Sequence, residues 1–264
     1  MYYKDRIIWI TGASSGIGAA LARELSRQGS TLILSARNTK KLEEVRQTLT
    51  DPARHEVLPL DLTNTDSLED IVAEAVGYYG RVDFLFNNGG VSQRALAIDT
   101  PIDVDRKLME TNYLGPVALT KALLPSMLSL KKGHIVVISS LTGKFGTPLR
   151  SGYAASKHAL HGFFDALRAE MWREGIAVTL ICPGYVKTDI SLNAMTADGS
   201  PQGTMDKGQE NGMLPEQLAK KILRAVEAGK NEVYIGGYEK IGVYIKRFLP
   251  DIFSRMIRGA STTG

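Results

Sequence analysis

Short apolar runs alternate with longer amphipathic stretches along this chain. Most of the runs are apolar on both faces, as strands covered on two sides must be. They predict strands at residues 6–10, 31–35, 56–60, 82–86, 134–139, 176–182 and 232–235. The stretches between them predict helices near residues 16–29, 39–50, 65–79, 102–130, 151–174 and 215–229. Because parallel strands need crossover connections, this order predicts an α/β fold with helices on both faces of a parallel sheet.

Length and composition are those of one globular domain. With 264 residues, 44% of them hydrophobic, the chain can bury a sizeable core as a single domain over residues 1–264. No apolar run approaches the roughly 20 residues that cross a bilayer, so we expect a cytoplasmic location. The single cysteine, Cys182, excludes an internal disulfide and is interpreted as a small buried residue at a strand end. No zinc-ligand spacing occurs, and no metal is expected.

The net charge of +4 is concentrated near the C-terminus. Residues 238–264 hold five Lys or Arg residues against Glu239 and Asp251, which leaves about +1 for the rest of the chain. A pI near 9.0 would suit a nucleic-acid-binding module, but no docking element accompanies the charge. We therefore expect no nucleic-acid partner, and a salt-sensitive shift on mixed DNA or RNA would test that alternative.

Polar and glycine-rich residues follow six of the predicted strands. In an open parallel sheet these positions share one edge, and ligands bind in the crevice outside the carboxyl ends of the strands. The residues are Thr11-Gly12, Ala36-Arg37, Asp61, Asn87-Asn88-Gly89-Gly90, Ser140 and Pro183-Gly184. The pattern predicts a ligand site assembled from six separate loops.

The loop after the first strand has the composition of a phosphate-binding loop. Glycines permit a tight turn and let backbone N–H groups approach phosphate oxygens, while the following helix N-terminus adds partial positive charge. The candidate residues are Gly12, Ser14, Ser15, Gly16, Ile17 and Gly18. Their spacing, G-x-x-x-G-x-G, differs from the dinucleotide pattern G-x-G-x-x-G. Taken alone, the motif is also compatible with a glycine-rich turn that binds nothing.

The turn after the second strand indicates which dinucleotide is bound. An acidic residue at this point of a nucleotide-binding fold accepts the ribose 2′-hydroxyl of NAD. Here Ala36 and Arg37 occupy the turn, followed by Asn38. A guanidinium pairs with a 2′-phosphate and no carboxylate repels it, so we expect NADP(H), bound in part by Arg37 and Asn38. Lys40 and Lys41 are interpreted as solvated charges at a helix start.

Four residues carry the expected chemistry. Tyr153 and Lys157 are four apart at the start of a predicted helix, so they share one face, and the ammonium is expected to lower the pKa of the phenol. Ser140 ends the fifth strand and could hydrogen-bond a substrate oxygen held by Tyr153. Asn112 lies in the middle of a predicted helix and could organise water near Lys157.

In the order and spacing of these motifs, the chain resembles the short-chain dehydrogenase/reductase family over roughly residues 5–235. The resemblance implies a doubly wound Rossmann-like fold with seven parallel strands in the order 3-2-1-4-5-6-7. It matches Asn112, Ser140, Tyr153 and Lys157 to the family's catalytic tetrad. This match implies that Tyr153 transfers the proton and that Ser140 orients the substrate oxygen. It also implies that Lys157 holds the nicotinamide ribose and that Asn112 supports a proton relay.

The same resemblance implies further cofactor contacts and an assembly. The contacts are Asp61 at the adenine, Leu62, Asn88 and Gly89 along the cofactor, and Pro183, Val186 and Thr188 at the nicotinamide carboxamide. Residues 109–127, 151–158 and 183–200 are similar to the member 7B subgroup of the family. Family resemblance also implies a homodimer or homotetramer built on the helices at residues 102–130 and 151–174.

The expected function is an NADP(H)-dependent oxidoreductase. It would move a hydride between the nicotinamide and a carbonyl or secondary alcohol carbon of a small or lipid-like substrate. The alternative from another class is an NADP(H)-binding redox sensor without turnover. Tight NADPH binding with no carbonyl-dependent oxidation would favour the sensor.

Two further segments are expected to cover the site. Residues 189–212 are rich in Ser, Thr, Asp and Gly, which is typical of a mobile substrate lid. Residues 238–259 form an amphipathic tail in which Pro250 interrupts an apolar helical face. This face is interpreted as packing over the pocket or against a second subunit. The alternative is a weak peripheral contact with an anionic membrane surface.

Overall fold

A computed structural model describes residues 2–259 of the chain, with a parallel sheet at its centre. The strands are β1 (Ile7–Thr11), β2 (Thr31–Ser35), β3 (Glu56–Val57), β4 (Phe84–Asn87), β5 (Gly133–Ile138), β6 (Ile176–Pro183) and β7 (Glu232–Ile235). They pair in the order β3-β2-β1-β4-β5-β6-β7, and every neighbouring pair is parallel. The Rossmann-like topology that the resemblance implied is confirmed.

Helices cover the sheet on both faces. In chain order they are α1 (Gly16–Arg27), α2 (Thr39–Arg46), α3 (Leu68–Tyr79), α4 (Ile102–Met109), α5 (Gly115–Ser129), α6 (Ser151–Met171), α7 (Lys207–Glu210), α8 (Pro215–Glu227), α9 (Ile241–Phe248) and α10 (Pro250–Ile257). No helix within residues 2–259 has both the length and the apolar character that a bilayer crossing requires.

The strand side chains divide between two hydrophobic cores, one on each face. Along β1, Ile8 and Ile10 join the core with α1, α2 and α8, whereas Ile7 and Trp9 join the core with α3, α5 and α6. Each fully buried side chain of this size contributes roughly 1.5–3 kcal/mol to folding. Burial on both faces explains why the strands are apolar at successive positions.

The single helix expected at residues 102–130 is divided, so that prediction is wrong. α4 ends at Met109, a π-helical turn spans Glu110–Leu114, and α5 begins at Gly115. The side chain of Asn112 in this turn is held by hydrogen bonds to the loop after β4 and to α6. These tertiary contacts stabilise a turn with one extra residue, which the amphipathic pattern does not reveal.

The third strand is shorter than the expected residues 56–60. It pairs regularly with β2 only over Glu56–Val57. The backbone N–H groups of Leu58 and Leu60 still donate to the oxygens of Leu34 and Ala36 at 3.0 and 3.1 Å. The chain therefore follows β2 up to Asp61 without forming a continuous ladder.

Candidate active site

The carboxyl ends of the strands open onto one cavity of about 1200 Å³. The strand order reverses between β1 and β4, the place where open parallel sheets bind ligands. The proposed site residues that line the cavity are Gly12, Ser14, Ser15, Gly16, Ile17, Arg37, Asn38, Asp61, Leu62, Asn88, Gly89, Ser140, Tyr153, Lys157, Pro183, Val186 and Thr188. Gly18 and Asn112 lie behind the cavity wall.

The loop between β1 and α1 leaves its backbone open to a ligand. Gly12 and Gly16 have φ angles of 64° and 51°, which L side chains rarely adopt. The side chain of Ser15, the N-cap residue of α1, makes no capping hydrogen bond, and the first turn of α1 contains no acidic residue. The helix N-terminus therefore keeps the partial positive charge that binds phosphate oxygens. The side chain of Thr188 lies directly against Gly16, since a Cβ on Gly16 would lie 3.0 Å from Cγ2 of Thr188.

Asn88 braces this loop from the end of β4. Its Nδ2 donates to the backbone oxygens of Thr11 at 2.9 Å and Gly12 at 3.2 Å. The backbone N–H groups of Asn88 and Gly89 donate to Oγ1 of Thr11 at 3.0 and 2.9 Å. Gly18 packs against the same assembly, since a Cβ there would lie 2.7 Å from Nδ2 of Asn88. Gly18 thus lets α1 begin close to the loop.

An acidic residue, Asp61, and a basic residue, Arg37, lie at the end of the cavity beside β2 and β3. Oδ1 of Asp61 accepts from the backbone N–H and the hydroxyl of Thr63 at 3.0 and 2.8 Å. Burial acts to raise the pKa of Asp61, but the Thr63 hydrogen bonds and the charge of Arg37 hold it below its usual range. Arg37 is exposed next to Asn38, whose Oδ1 caps α2 by accepting from the N–H of Lys41 at 3.0 Å.

Tyr153 lies in the first turn of α6 and is 8% exposed. Oε1 of Gln93 accepts from its backbone N–H at 3.2 Å. Burial raises the pKa of the phenol, while hydrogen bonding to Ser140 and the charges of Arg150 and Arg94 lower it. The net direction is upward, opposite to the expected lowering by a lysine ammonium, because desolvation of the phenolate is the largest effect.

Lys157 lies one helical turn beyond Tyr153, with Nζ 5.8 Å from the centre of the tyrosine ring. Nζ donates to the backbone oxygen of Ile138 at 2.9 Å, and burial lowers the pKa of Lys157 to about 8. Oγ of Ser140 accepts from the backbone N–H and the hydroxyl of Thr142 at 3.1 and 2.9 Å. Because Ser140 is the acceptor in both bonds, its own proton can be donated into the cavity.

Asn112 is fully buried, and its side chain joins three parts of the fold. Oδ1 accepts from the N–H of Val91 at 2.8 Å, while Nδ2 donates to the oxygen of Val91 at 2.9 Å and to Oγ of Ser156 at 3.0 Å. A Cβ on Gly90 would lie 2.9 Å from Oδ1 of Asn112 and 3.6 Å from Nζ of Lys157. The amide therefore fixes the loop after β4 against α6, and its part in a proton relay stays a prediction.

Sequence reasoning missed three buried charged residues. Arg94 and Arg150 line the cavity at 7% and 5% exposure, and Asp206 is fully buried. Nε of Arg94 and Nη2 of Arg150 donate to the same Oδ2 of Asp206, at 2.8 and 3.3 Å. Asp206 is 112 positions from Arg94 and 56 positions from Arg150, so no local spacing could indicate the cluster.

Residues 189–212 cover the cavity and are tied to the loop after β4. The N–H of Arg94 donates to the oxygen of Met195 at 2.8 Å, and the N–H of Met195 donates to the oxygen of Ser92 at 2.9 Å. The ion pairs of Asp206 hold the far end of the segment. Mobility of this lid stays a prediction.

The apolar stripe of the tail divides between the cavity and the surface. Phe253 is buried, and its ring centre lies 5.2 Å from that of Phe145. The tail residues that line the cavity are Tyr238, Glu239, Ile241, Gly242, Ile245, Phe253, Met256 and Ile257. Other apolar residues of the stripe, namely Tyr244, Phe248, Leu249 and Ile252, are more than half exposed. The buried part supports the interpretation that the tail packs over the pocket.

One trio of side chains, two of them buried and one partly exposed, has the spacing of metal ligands. Ligand atoms of His161, Cys182 and Glu232 lie within 4.8 Å of one another. However, Nζ of Lys144 donates to Glu232 at 2.8 Å, and burial raises the pKa of the Cys182 thiol. An ion would have to displace both the ammonium and the thiol proton, so the trio fits an ion-paired hydrogen-bond cluster better than a metal centre.

Comparison with known sequences identifies close relatives. The sequence pattern of the short chain dehydrogenases matches residues 6–198. The chain is 44% identical over 260 residues to dehydrogenase/reductase SDR family member 7B of Xenopus laevis, covering 96% of this chain and 80% of that protein. It is also 44% identical over 254 residues to dehydrogenase/reductase SDR family protein 7-like of Drosophila melanogaster, covering 94% and 78%.

Solved structures agree with the sequence matches. A short-chain dehydrogenase from Streptomyces avermitilis has a TM-score of 0.80 at 28% identity, covering 97% of this chain and 96% of that one. A metagenomic short-chain oxidoreductase in complex with NADP has a TM-score of 0.73 at 26% identity, covering 89% and 98%. A short chain dehydrogenase/reductase from Burkholderia phymatum in complex with NAD shares the fold, with a TM-score of 0.83 at 22% identity and coverage of 100% and 98%. The chain belongs to the short-chain dehydrogenase/reductase family.

Proposed function

We propose that this chain is an NADP(H)-dependent oxidoreductase acting on a carbonyl or secondary alcohol carbon of a small or lipid-like substrate. The observation that carries the proposal is one cavity lined by Ser140, Tyr153 and Lys157 together with the glycine loop after β1. A proton donor beside a phosphate-binding loop suits a reaction that couples proton transfer to hydride transfer.

The residues around the cavity fit a nicotinamide dinucleotide. The glycine loop and the N-terminus of α1 would hold the pyrophosphate, Asp61 would face the adenine, and residues 183–188 would hold the nicotinamide. Arg37, exposed at the adenosine end, supports NADP(H), since its guanidinium can pair with a 2′-phosphate. The structural neighbours include complexes with NADP and with NAD, so the preference rests on Arg37.

When bound, the nicotinamide supplies or accepts the hydride at the substrate carbon. In reduction, Tyr153 donates its phenolic proton to the carbonyl oxygen, and Ser140 donates a hydrogen bond that orients the same oxygen. In oxidation, the phenolate of Tyr153 takes the proton of the alcohol. The raised pKa of Tyr153 keeps the proton available for reduction. Lys157 favours the phenolate through its charge and would contact the ribose.

A substrate screen tests the proposal. Ketones, aldehydes and acyl derivatives are offered with NADPH while nicotinamide absorbance is followed. Tyr153→Phe should remove turnover and leave NADPH affinity nearly intact, because it deletes only the hydroxyl. Lys157→Ala should reduce both turnover and affinity. Near-normal turnover in Tyr153→Phe would mean that another group is the acid.

The redox sensor remains the contrasting outcome of the same experiment. Tight NADPH binding without oxidation by any carbonyl would favour it over the oxidoreductase. Ser140, Tyr153 and Lys157 all line the cavity, and this favours an oxidoreductase over a sensor without turnover.

We also propose that the chain forms a homodimer or homotetramer through α5 and α6. Light scattering coupled to size exclusion would measure the subunit number, and a monomer at all concentrations would contradict this assembly. The cytoplasmic location expected from the sequence stays a prediction, which cell fractionation would test.

A further inference from the structure

Arg94, Arg150 and Asp206 form a compact charged cluster in the wall of the active site. Two guanidiniums share one carboxylate oxygen, and the other oxygen of Asp206 accepts from Nε2 of Gln202 at 3.1 Å. The side chains of all three are nearly inaccessible to solvent. Two guanidinium groups pair with one carboxylate, so the side chains of these three residues together carry a net positive charge. Arg94 and Arg150 line the same cavity as Tyr153, which points to a use of this charge in the reaction.

We propose that Arg94 and Arg150, held by Asp206, are positioning residues that place a fixed positive charge in the cavity wall they share with Tyr153 and so set its strength as an acid. This inference rests on the proposed function of Tyr153. Arg150 is the N-cap residue of α6, three positions before Tyr153. Arg94 directly follows Gln93, whose Oε1 accepts from the backbone N–H of Tyr153. Both arginines therefore lie in chain segments that are tied to the first turn of α6, which carries Tyr153.

The arginines keep their positive charge at pH values at which Lys157 loses its own. Burial lowers the pKa of Lys157 to about 8, so its ammonium loses its proton as the pH rises above that value. An arginine guanidinium remains protonated over the same range. Burial raises the pKa of Tyr153, and Arg150 and Arg94 are the charged groups that oppose this most strongly.

Other ionisable groups line the same cavity or pack against the start of α6, and they must stay constant in a test. On the elements packed around Tyr153 they are Asp105 and Lys107 of α4, Lys157 of α6, and Tyr185, Asp189 and Glu239 around the cavity. None of them belongs to the Asp206 cluster, so single changes inside the cluster leave them in place.

Two substitutions of opposite charge test the proposal. Arg94→Gln removes a positive charge and should raise the apparent pKa of Tyr153 by about one unit, whereas Asp206→Asn removes a negative charge and should lower it by about one unit. Arg94→Lys keeps the charge and is the matched control. The pKa is read from the pH profile of kcat for alcohol oxidation. Independently, tyrosinate absorbance is titrated without cofactor, each variant being compared with the same variant carrying Tyr153→Phe.

The outcomes separate this role from a structural one. If the cluster only fastens residues 189–212, both charge-changing variants would raise KM or lower the Tm without opposite pKa shifts, and the proposal would be overturned. If Arg94→Gln fails to fold, Arg150→Gln takes its place with the same upward shift expected. Lack of turnover in the unmodified protein would contradict the proposed function instead, while the tyrosinate titration would still decide the role of the cluster.

Discussion

The backbone of Gly18 packs against the carbonyl oxygen of Gly12, so that a Cβ at position 18 would lie 2.2 Å from this oxygen. The obstructing atom is main chain and cannot rotate away. Gly18→Ala should therefore displace the loop between β1 and α1, weaken NADPH binding by roughly tenfold or more and lower the Tm. Fluorescence titration with NADPH and thermal denaturation measure the two effects.

Gly162→Ala in α6 is the matched control for this substitution. A Cβ at Gly162 would meet no atom within 4 Å. Alanine is favoured over glycine inside a helix by roughly 0.5–1 kcal/mol, so the Tm should rise slightly and NADPH affinity should not change. Equal NADPH affinities for the two variants would show that the close approach at Gly18 is not needed.

Arg37→Ala should erase most of the preference for NADPH over NADH. A charge-assisted contact with the 2′-phosphate is worth roughly 1.5–3 kcal/mol, or about 10- to 150-fold in affinity. The measurement is kcat/KM with each cofactor. Lys40→Ala is the control, because Lys40 is exposed and does not line the cavity. This variant should prefer NADPH over NADH to the same extent as the unmodified protein. Equal efficiency with both cofactors before any mutation would remove the assignment of NADP(H).

His134 should make the fold sensitive to acid. Its ring stacks on Phe84 with ring centres 5.4 Å apart, Nε2 lies 2.9 Å from Oγ1 of Thr179, and burial lowers its pKa from 6.5 to about 4. Between these two values the unfolded chain binds the proton and the folded chain does not. Stability is therefore expected to fall as the pH drops from 6.5 toward 4, by roughly 2–3 kcal/mol.

The comparison variant for this effect is His134→Leu. It removes the titrating group while keeping an apolar side chain in β5. Urea unfolding across the same pH range should show a smaller loss of stability in His134→Leu than in the unmodified protein. His55, whose pKa burial also lowers, is present in both proteins and cancels in the difference. Parallel curves for the two proteins would contradict the role of His134.

Two phenylalanines of the tail should respond differently to truncation. Phe253 is 4% exposed and lines the cavity, whereas Phe248 is 74% exposed. Phe253→Ala should cost about 3 kcal/mol of stability and lower activity, while Phe248→Ala should leave both nearly unchanged. Denaturant unfolding and turnover with a soluble carbonyl measure these effects.

The same pair tests whether the exposed part of the tail contacts a membrane. Lys246, Arg247, Arg255 and Arg258 are exposed around the apolar residues and would favour anionic headgroups. Sedimentation of the unmodified protein with anionic vesicles at low salt, and its loss in Phe248→Ala, would support this contact. Failure of the unmodified protein to sediment would end that interpretation.

The sheet could be anticipated because its strands are buried on both faces. Ile7, Ile8, Trp9 and Ile10 in β1 are all apolar, and such runs stand out from the amphipathic helices around them. The loops after the strands could be placed for the same reason, since a parallel sheet brings its carboxyl ends to one edge. The glycine loop and the Tyr153–Lys157 pair followed from that edge and from local spacing.

The features that were missed depend on contacts between distant segments. The π-helical turn at Glu110–Leu114 forms around the hydrogen bonds of Asn112 to Val91 and Ser156, which lie in other elements. The cluster of Arg94 and Asp206 joins residues 112 positions apart. Neither leaves a periodic or spacing signal, because tertiary packing alone brings these groups together. The direction of the Tyr153 pKa was misjudged for the same reason, since burial is not visible in the spacing of two residues.

The bracing of the glycine loop by Asn88 bears on how often the enzyme can turn over. Four hydrogen bonds connect Asn88 and Gly89 to Thr11 and Gly12, and all of them are internal to the protein. The loop that is proposed to bind the phosphates is therefore shaped by contacts within the protein, and little conformational entropy should be lost when a ligand binds. An electron carrier that must leave after each cycle and be replaced by its other redox form benefits from such a loop. The rate at which the carrier is exchanged is then set by how fast its contacts with the protein break, and not by the time the loop needs to refold.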